Sequence, residues 1–225
     1  MSEFSENELE NEYKKYSDEK QTYLNDLHKI IVDSKESLEG NSFYYHLTLN
    51  LYPELLYKQI NLFWCGKQAN KKICEIGFNA GHSTMLMLLG RDKTPIDYTV
   101  FDIGEHSYVK PCLEYVKNKF NYVNFEYIEG DSTMTMPKWI SINFKSIGTY
   151  DVIHVDGGHS ENCINNDMRN SDKLLKVDGI LIVDDTYIPH IKKCVEKYLA
   201  SGKYIELNVL KTKGYTHRII KKIRN

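Results

Sequence analysis

Residues 71–223 predict an α/β fold, an open and mostly parallel sheet with helices on both faces. Three observations predict it. Short apolar runs alternate five times with helical patterns, the signature of strand–helix units feeding a parallel sheet. Two of those runs, in "DVIHVDGGHS" and "GILIVDDTY", end directly on acids, as strands do when their C-terminal ends carry a site. A last pair of apolar runs flanks a short turn containing Gly214, so the final strand is expected to run antiparallel.

The elements follow in order. Residues 1–35 are charged and helical in pattern, with Leu24, Leu27, Ile30 and Ile31 forming one apolar stripe. Gly40 and Pro53 punctuate a second, aromatic-rich helical layer that extends to about residue 64. The strands are read at 71–77, 96–104, 124–131, 150–158 and 179–185. Helices follow them at 82–90, 108–120, 136–143, 161–175 and 189–200. The tail reads as strands at 203–211 and 216–223 around the turn 212–214. The chain divides into a helical cap or oligomerisation segment, 1–70, and an α/β domain, 71–225; a homodimer through the cap is expected.

Composition narrows the function. A formal net charge of -2 supplies no basic field for a nucleic-acid backbone, and the C-terminal Lys221, Lys222 and Arg224 read as a solvated tail. No apolar run reaches membrane-spanning length, and the N-terminus has no signal-peptide core, so a cytoplasmic protein is expected. The five cysteines lack metal-knuckle or redox spacing and read as free thiols.

The stretch "CEIGFNAGHST" lies at the first strand-to-helix turn. Gly77 and Gly81 permit a sharp turn and leave room for a ligand, and the helix starting near Ser83 presents free N–H groups. Asn79 stands where a dinucleotide fingerprint has its middle glycine, Ala80 and His82 spoil the rest, and no phosphate-loop Lys–Ser pair follows. Glu75, two residues before Gly77, suits a ligand with a cationic amino group. Asp102 ends the second strand, 21 residues beyond Gly81, where an acid accepts ribose hydroxyls. Asp131 and Ser132 end the third strand, where they meet an adenine edge or cap a helix.

These residues resemble the class I S-adenosylmethionine-dependent methyltransferases over about residues 71–225: "EIGFNAGHST" is similar to that family's first motif, and "FDIG" and "EGDS" fall where it holds ribose and adenine. The resemblance implies a Rossmann-like seven-stranded sheet, order 3-2-1-4-5-7-6, with the last strand antiparallel. "HVDGGHS" with "VDDT" further resembles the metal-dependent O-methyltransferases of the catechol and macrolide-sugar types. In those, acids at the ends of strands four and five hold magnesium, and Asp156, Asp184 and Asp185 match them. The catechol type has a lysine base three residues after the first acid; His159 stands there.

In that strand order the fourth and fifth strands lie about 4.8 Å apart, so their ends crowd the three acids. Crowded carboxylates raise each other's pKa unless a cation neutralises them, and all-oxygen ligands favour Mg²⁺, Mn²⁺ or Ca²⁺. Asp156 also faces the glycine turn, so it counts as donor-binding and catalytic as well as metal-ligating. His159 is the candidate base, since imidazole titrates near neutral pH. His154 reads as a packed core histidine, His82 as part of the cofactor turn, and His106 and His190 as loop residues near the site. Tyr44, Tyr45 and Tyr52 are expected to roof an acceptor pocket. The expected reaction is O-methylation of a small hydroxylated acceptor, a sugar first and a phenol or catechol second. The alternatives are a metal-independent methyltransferase, a nicotinamide-dependent oxidoreductase and a non-catalytic binding member.

Overall fold

The computed structural model describes residues 6–44, 50–212 and 216–225. Helices α1 (Glu6–Lys14), α2 (Ser17–Ser34) and α3 (Leu56–Gln68) precede the sheet. Strands and helices then alternate: β1 (Lys72–Ile76), α4 (His82–Leu89), β2 (Ile96–Asp102), α5 (Val109–Lys119), β3 (Val123–Glu129) and α6 (Ser132–Ile142). The second half is β4 (Tyr150–Val155), α7 (Glu161–Leu174), β5 (Leu175–Val183), α8 (Pro189–Ala200), β6 (Tyr204–Glu206) and β7 (Arg218–Lys222). The seven strands lie in the order β3-β2-β1-β4-β5-β7-β6, with β7 antiparallel to both β5 and β6. This is the expected fold, Rossmann-like with a reversed last strand.

Burial explains why the strands read as continuous apolar runs. Every residue of β4 is buried, as are Ile180 to Val183 of β5, because helices cover both faces. The register then positions the site. Ile76 pairs with Val155, and Val155 pairs with Val183. The next residues along these strands, Gly77, Asp156 and Asp184, therefore emerge side by side. The Asp156 N–H donates to the Ile76 carbonyl (2.9 Å) and the Asp184 N–H to the Val155 carbonyl (2.9 Å), carrying the pairing one residue past each strand.

The N-terminal stripe packs inward. Leu24, Leu27 and Ile31 share one buried cluster with Leu86 of α4 and Val116 of α5. Two expectations need correction. Residues 36–55 are not a helical layer among the described residues: apart from a 3-10 turn at Pro53–Leu55 they form an irregular strap. Asn41 turns the chain there, its Oδ1 accepting the Phe43 N–H at 2.9 Å and the Tyr44 N–H as well, and an Asx turn of this kind competes with helix. The strand expected at 203–211 is confined to Tyr204–Glu206. The chain then leaves the sheet because Asn61 of α3 holds Leu210 by both backbone groups, at 2.9 Å to N and 2.8 Å to O. The expected turn residue Gly214 lies outside the described residues, as does Tyr45.

All five cysteines are free, and four of them are buried. Among the described residues no helix is long and apolar enough to cross a membrane.

Candidate active site

A cavity of about 520 Å³ opens over the C-terminal ends of β1, β2, β3, β4 and β5. This is the crevice beside the switch point of an open parallel sheet, where β1 lies between β2 and β4. Gly77, Asn79, Ser83, Asp102, Asp131, Ser132, Asp156, His159, Asp184 and Asp185 all line it, so residues spread over more than a hundred positions share one wall.

At one end the wall is backbone. Gly77 has φ +91, and a Cβ there would stand 1.9 Å from the Asp156 carbonyl oxygen. Only glycine lets β1 and β4 close on each other at this point. Gly81 has φ +78, with Phe78 ring atoms 2.6 Å from where a Cβ would stand. Asn79, at φ 51, occupies a left-handed conformation that asparagine tolerates better than most residues. Asp102 braces the turn. Its Oδ2 accepts the Phe78 and Asn79 N–H groups (2.7 and 2.9 Å), and its Oδ1 accepts that of Gly104 (2.7 Å). Asp131 caps α6 by accepting the Thr133 N–H at 2.8 Å, which leaves Ser132 beside it on the cavity wall.

At the other end the wall is acidic. Ligand atoms of Asp156, His159 and Asp185 lie within 4.8 Å of one another, and so do those of His154, Asp156 and Asp184. His159 Nε2 is 2.7 Å from Asp185 Oδ2. That hydrogen bond to Asp185 raises the His159 pKa. Burial, reinforced by the charge of Asp184, pushes the Asp156 carboxyl well above the usual carboxylate range. Asp184 goes the other way. Burial opposes its charge, but Lys58 of α3, with the charges of His217 and His154, together outweigh burial and hold the carboxyl below its ordinary value. The two form an ion pair whose side chains are 6% and 2% exposed. The left-handed φ of Asp185, 53, turns its side chain out of line with Asp184.

A family model described as "Methyltransferase domain" matches residues 74–186, half of the chain. The chain belongs to this methyltransferase family. Solved structures agree on the fold. CalS11, a TDP-rhamnose 3'-O-methyltransferase of calicheamicin biosynthesis, superposes with a TM-score of 0.61 at 14% identity over 89% of this chain and 93% of that one. An O-methyltransferase from Bacillus cereus in complex with SAH gives 0.64 at 15% identity, over 90% and 91%. No curated protein matches the sequence.

The methyl donor of this methyltransferase is S-adenosylmethionine, and the glycine turn lines the cavity through Gly77, Phe78, Asn79 and Ala80. Several of the expected contact residues have other partners in the structure. Glu75 does not line the cavity. It is fully buried and accepts from Ser83 Oγ (2.5 Å), Tyr98 OH (2.8 Å) and the Thr84 hydroxyl, with His154 Nδ1 at 3.0 Å. It ties β1 to α4, β2 and β4 from behind the turn. Gly81 is likewise absent from the wall and serves the turn itself. Asn79 lines the cavity, and its side chain donates to the carbonyls of Glu39 and Gly40, fastening the strap. His154 is buried, as expected, but joins the acid cluster as well as the core. Burial alone would push it down, yet the hydrogen bond to Glu75 and the charge of Asp156 hold its pKa above the usual value.

Of the expected roof, Tyr44 lines the cavity; Tyr52 does not, and its hydroxyl donates to Glu54 at 2.8 Å. His82 and His106 line the wall, whereas His190 approaches the His159 carbonyl at 2.6 Å. The residue that sequence reasoning missed is Lys58. Its signal was a charge on the buried face of α3, at helical spacing between Leu55 and Leu62.

Proposed function

We propose that this methyltransferase moves the methyl group of S-adenosylmethionine onto a hydroxyl of a small acceptor, a sugar hydroxyl first and a phenol or catechol second, with a divalent ion at the acid cluster. One observation carries the reading: a single cavity joins the glycine turn to Asp156, Asp185 and His159. The sugar preference draws on CalS11, whose acceptor is a TDP-rhamnose.

The donor set suits a hard divalent ion. The carboxylates of Asp156 and Asp185 converge within 4.8 Å, with the His159 imidazole beside them as the candidate base, and the Lys58 ammonium is paired with Asp184 rather than with either of them. When bound there, Mg²⁺ or Mn²⁺ lowers the pKa of an acceptor hydroxyl. The chain's own residues do the rest. Asp185 accepts from His159 Nε2 and orients the ring, leaving Nδ1 to take the acceptor proton. The glycine turn and Asp102 fix the donor against the acid end, and alignment of this kind supplies up to about 7–11 kcal/mol of a barrier. Tyr44 and Lys58 bring the N-terminal segment to the acceptor side.

A metal-independent transfer is the second reading, favoured by the Lys58–Asp184 pair, which already places one positive charge among the acids. The deciding experiment is a methyl-transfer screen over nucleotide sugars, glycosides and phenols, with and without EDTA, repeated for Asp156→Ala and His159→Ala. The proposal expects transfer to a sugar that chelator abolishes and Mn²⁺ restores. Full activity in chelator removes the ion from the mechanism.

A further inference from the structure

Lys58 sits in the first turn of α3, and α3 precedes the whole strand–helix array. Its side chain is almost completely buried, faces the cavity and reaches Asp184. A lysine is rarely buried unless paired, and a buried pair broken on one side leaves an uncompensated charge. The charge at this position is therefore held by the site.

The acids fall into two constellations that share Asp156. The inner one, with His154 and Asp184, is the one Lys58 touches; the outer one, with His159 and Asp185, holds no lysine. Asp184 is 3% exposed. An entering divalent ion meets an ammonium already seated on the inner carboxylate. We propose that Lys58 is the resident counter-ion of Asp184, that it directs the divalent ion to Asp156 and Asp185 alone, and that it thereby keeps the ion weakly bound.

The proposal rests on the ion reading of the site, and extends it by making an N-terminal helix a determinant of ion affinity. The same helix is anchored one turn later. Asn61 bonds Leu210 and approaches His217 Nε2 at 2.8 Å, so α3 is fixed one turn beyond Lys58.

Mn²⁺ binding, followed by the electron paramagnetic resonance signal of the free ion, tests this on the whole chain, with calorimetric SAH binding as the check that each variant folds. Lys58→Met should bind Mn²⁺ at least roughly tenfold more tightly than the wild type, a decade being about 1.4 kcal/mol. Lys58→Gln keeps an N–H for Asp184 without the charge; it should tighten binding in the same direction and serves if Lys58→Met does not fold. Asp184→Asn leaves the Lys58 ammonium unpaired beside the ion and should weaken binding, whereas Lys58→Met combined with Asp184→Asn should return to wild-type affinity. Unchanged or weaker binding in both lysine variants overturns the proposal, as does a tenfold gain that persists when Lys58→Met is combined with Asp184→Asn. If neither wild type nor variants bind Mn²⁺ while all bind SAH, the ion reading fails and takes the proposal with it, a result distinct from wild-type binding that the lysine variants leave unchanged.

Discussion

Glu75 and His159 stand on opposite sides of the cavity wall, one buried behind it and one exposed at its edge. Glu75 is buried with four polar partners drawn from α4, β2 and β4. Truncating it orphans all of them at once. Glu75→Ala should therefore lose about 3–5 kcal/mol in urea unfolding, with SAH affinity falling because the turn in front of it loosens. A loss below 1 kcal/mol would show that these groups find other partners. His159 is more than half exposed and contributes little to packing. His159→Gln should leave SAH binding and unfolding unchanged while kcat falls by about 10²–10⁴, the range of general acid–base catalysis. Gly77→Ala is the steric counterpart. A methyl group 1.9 Å from the Asp156 carbonyl forces β1 and β4 apart, so SAH binding should vanish in calorimetry.

At the scale of elements, strand register and helix docking divide the work. Register puts Asp156 beside Asp184, because Val155 and Val183 pair directly before them. Docking of α3 brings Lys58 to the same place, and Asn61 is its anchor. Asn61→Ala removes both bonds to Leu210 and leaves buried backbone groups unpaired, at a cost of roughly 1–3 kcal/mol. Hydrogen exchange should show the loss locally, with faster exchange at Leu210 and along β7 while β1 and β4 stay protected. Uniform acceleration across the sheet would mean that α3 and the sheet unfold as one unit.

For the whole molecule, two buried histidines contribute an acid-sensitive part of the stability. Burial pushes both His82 and His217 from 6.5 to about 3. Below about pH 6.5 the unfolded chain takes up these protons and the folded chain does not, so stability is full above that pH and declines as pH falls toward 3. Each histidine should remove roughly 2 kcal/mol between pH 7 and pH 5. His82 lies between the rings of Phe43 and Tyr44, at 5.5 and 5.6 Å, so a phenyl ring suits the space. His82→Phe should shift the change in unfolding free energy between those two pH values by roughly 2 kcal/mol in favour of the acid side; an unchanged slope would place the acid sensitivity elsewhere.

What the sequence determined by itself is the sheet and the ends of its strands. Apolar runs broken by glycine and acid specify both the strands and where they stop, because buried parallel strands are predominantly apolar until they leave the core. Gly77, Asp102, Asp131, Asp156, Asp184 and Asp185 were legible for that reason, and so was the strand order through the family resemblance. Tertiary structure alone decided the direction in which each polar group points. Glu75 reads like a ligand contact and serves instead as an internal brace. Asn79 reads like a donor contact and fastens the strap. Lys58 reads as one more lysine on a helix, and becomes part of the site only when α3 docks across the strand ends. Charge neutralisation among groups far apart in the chain depends on distances of a few ångströms, and no local pattern encodes those distances.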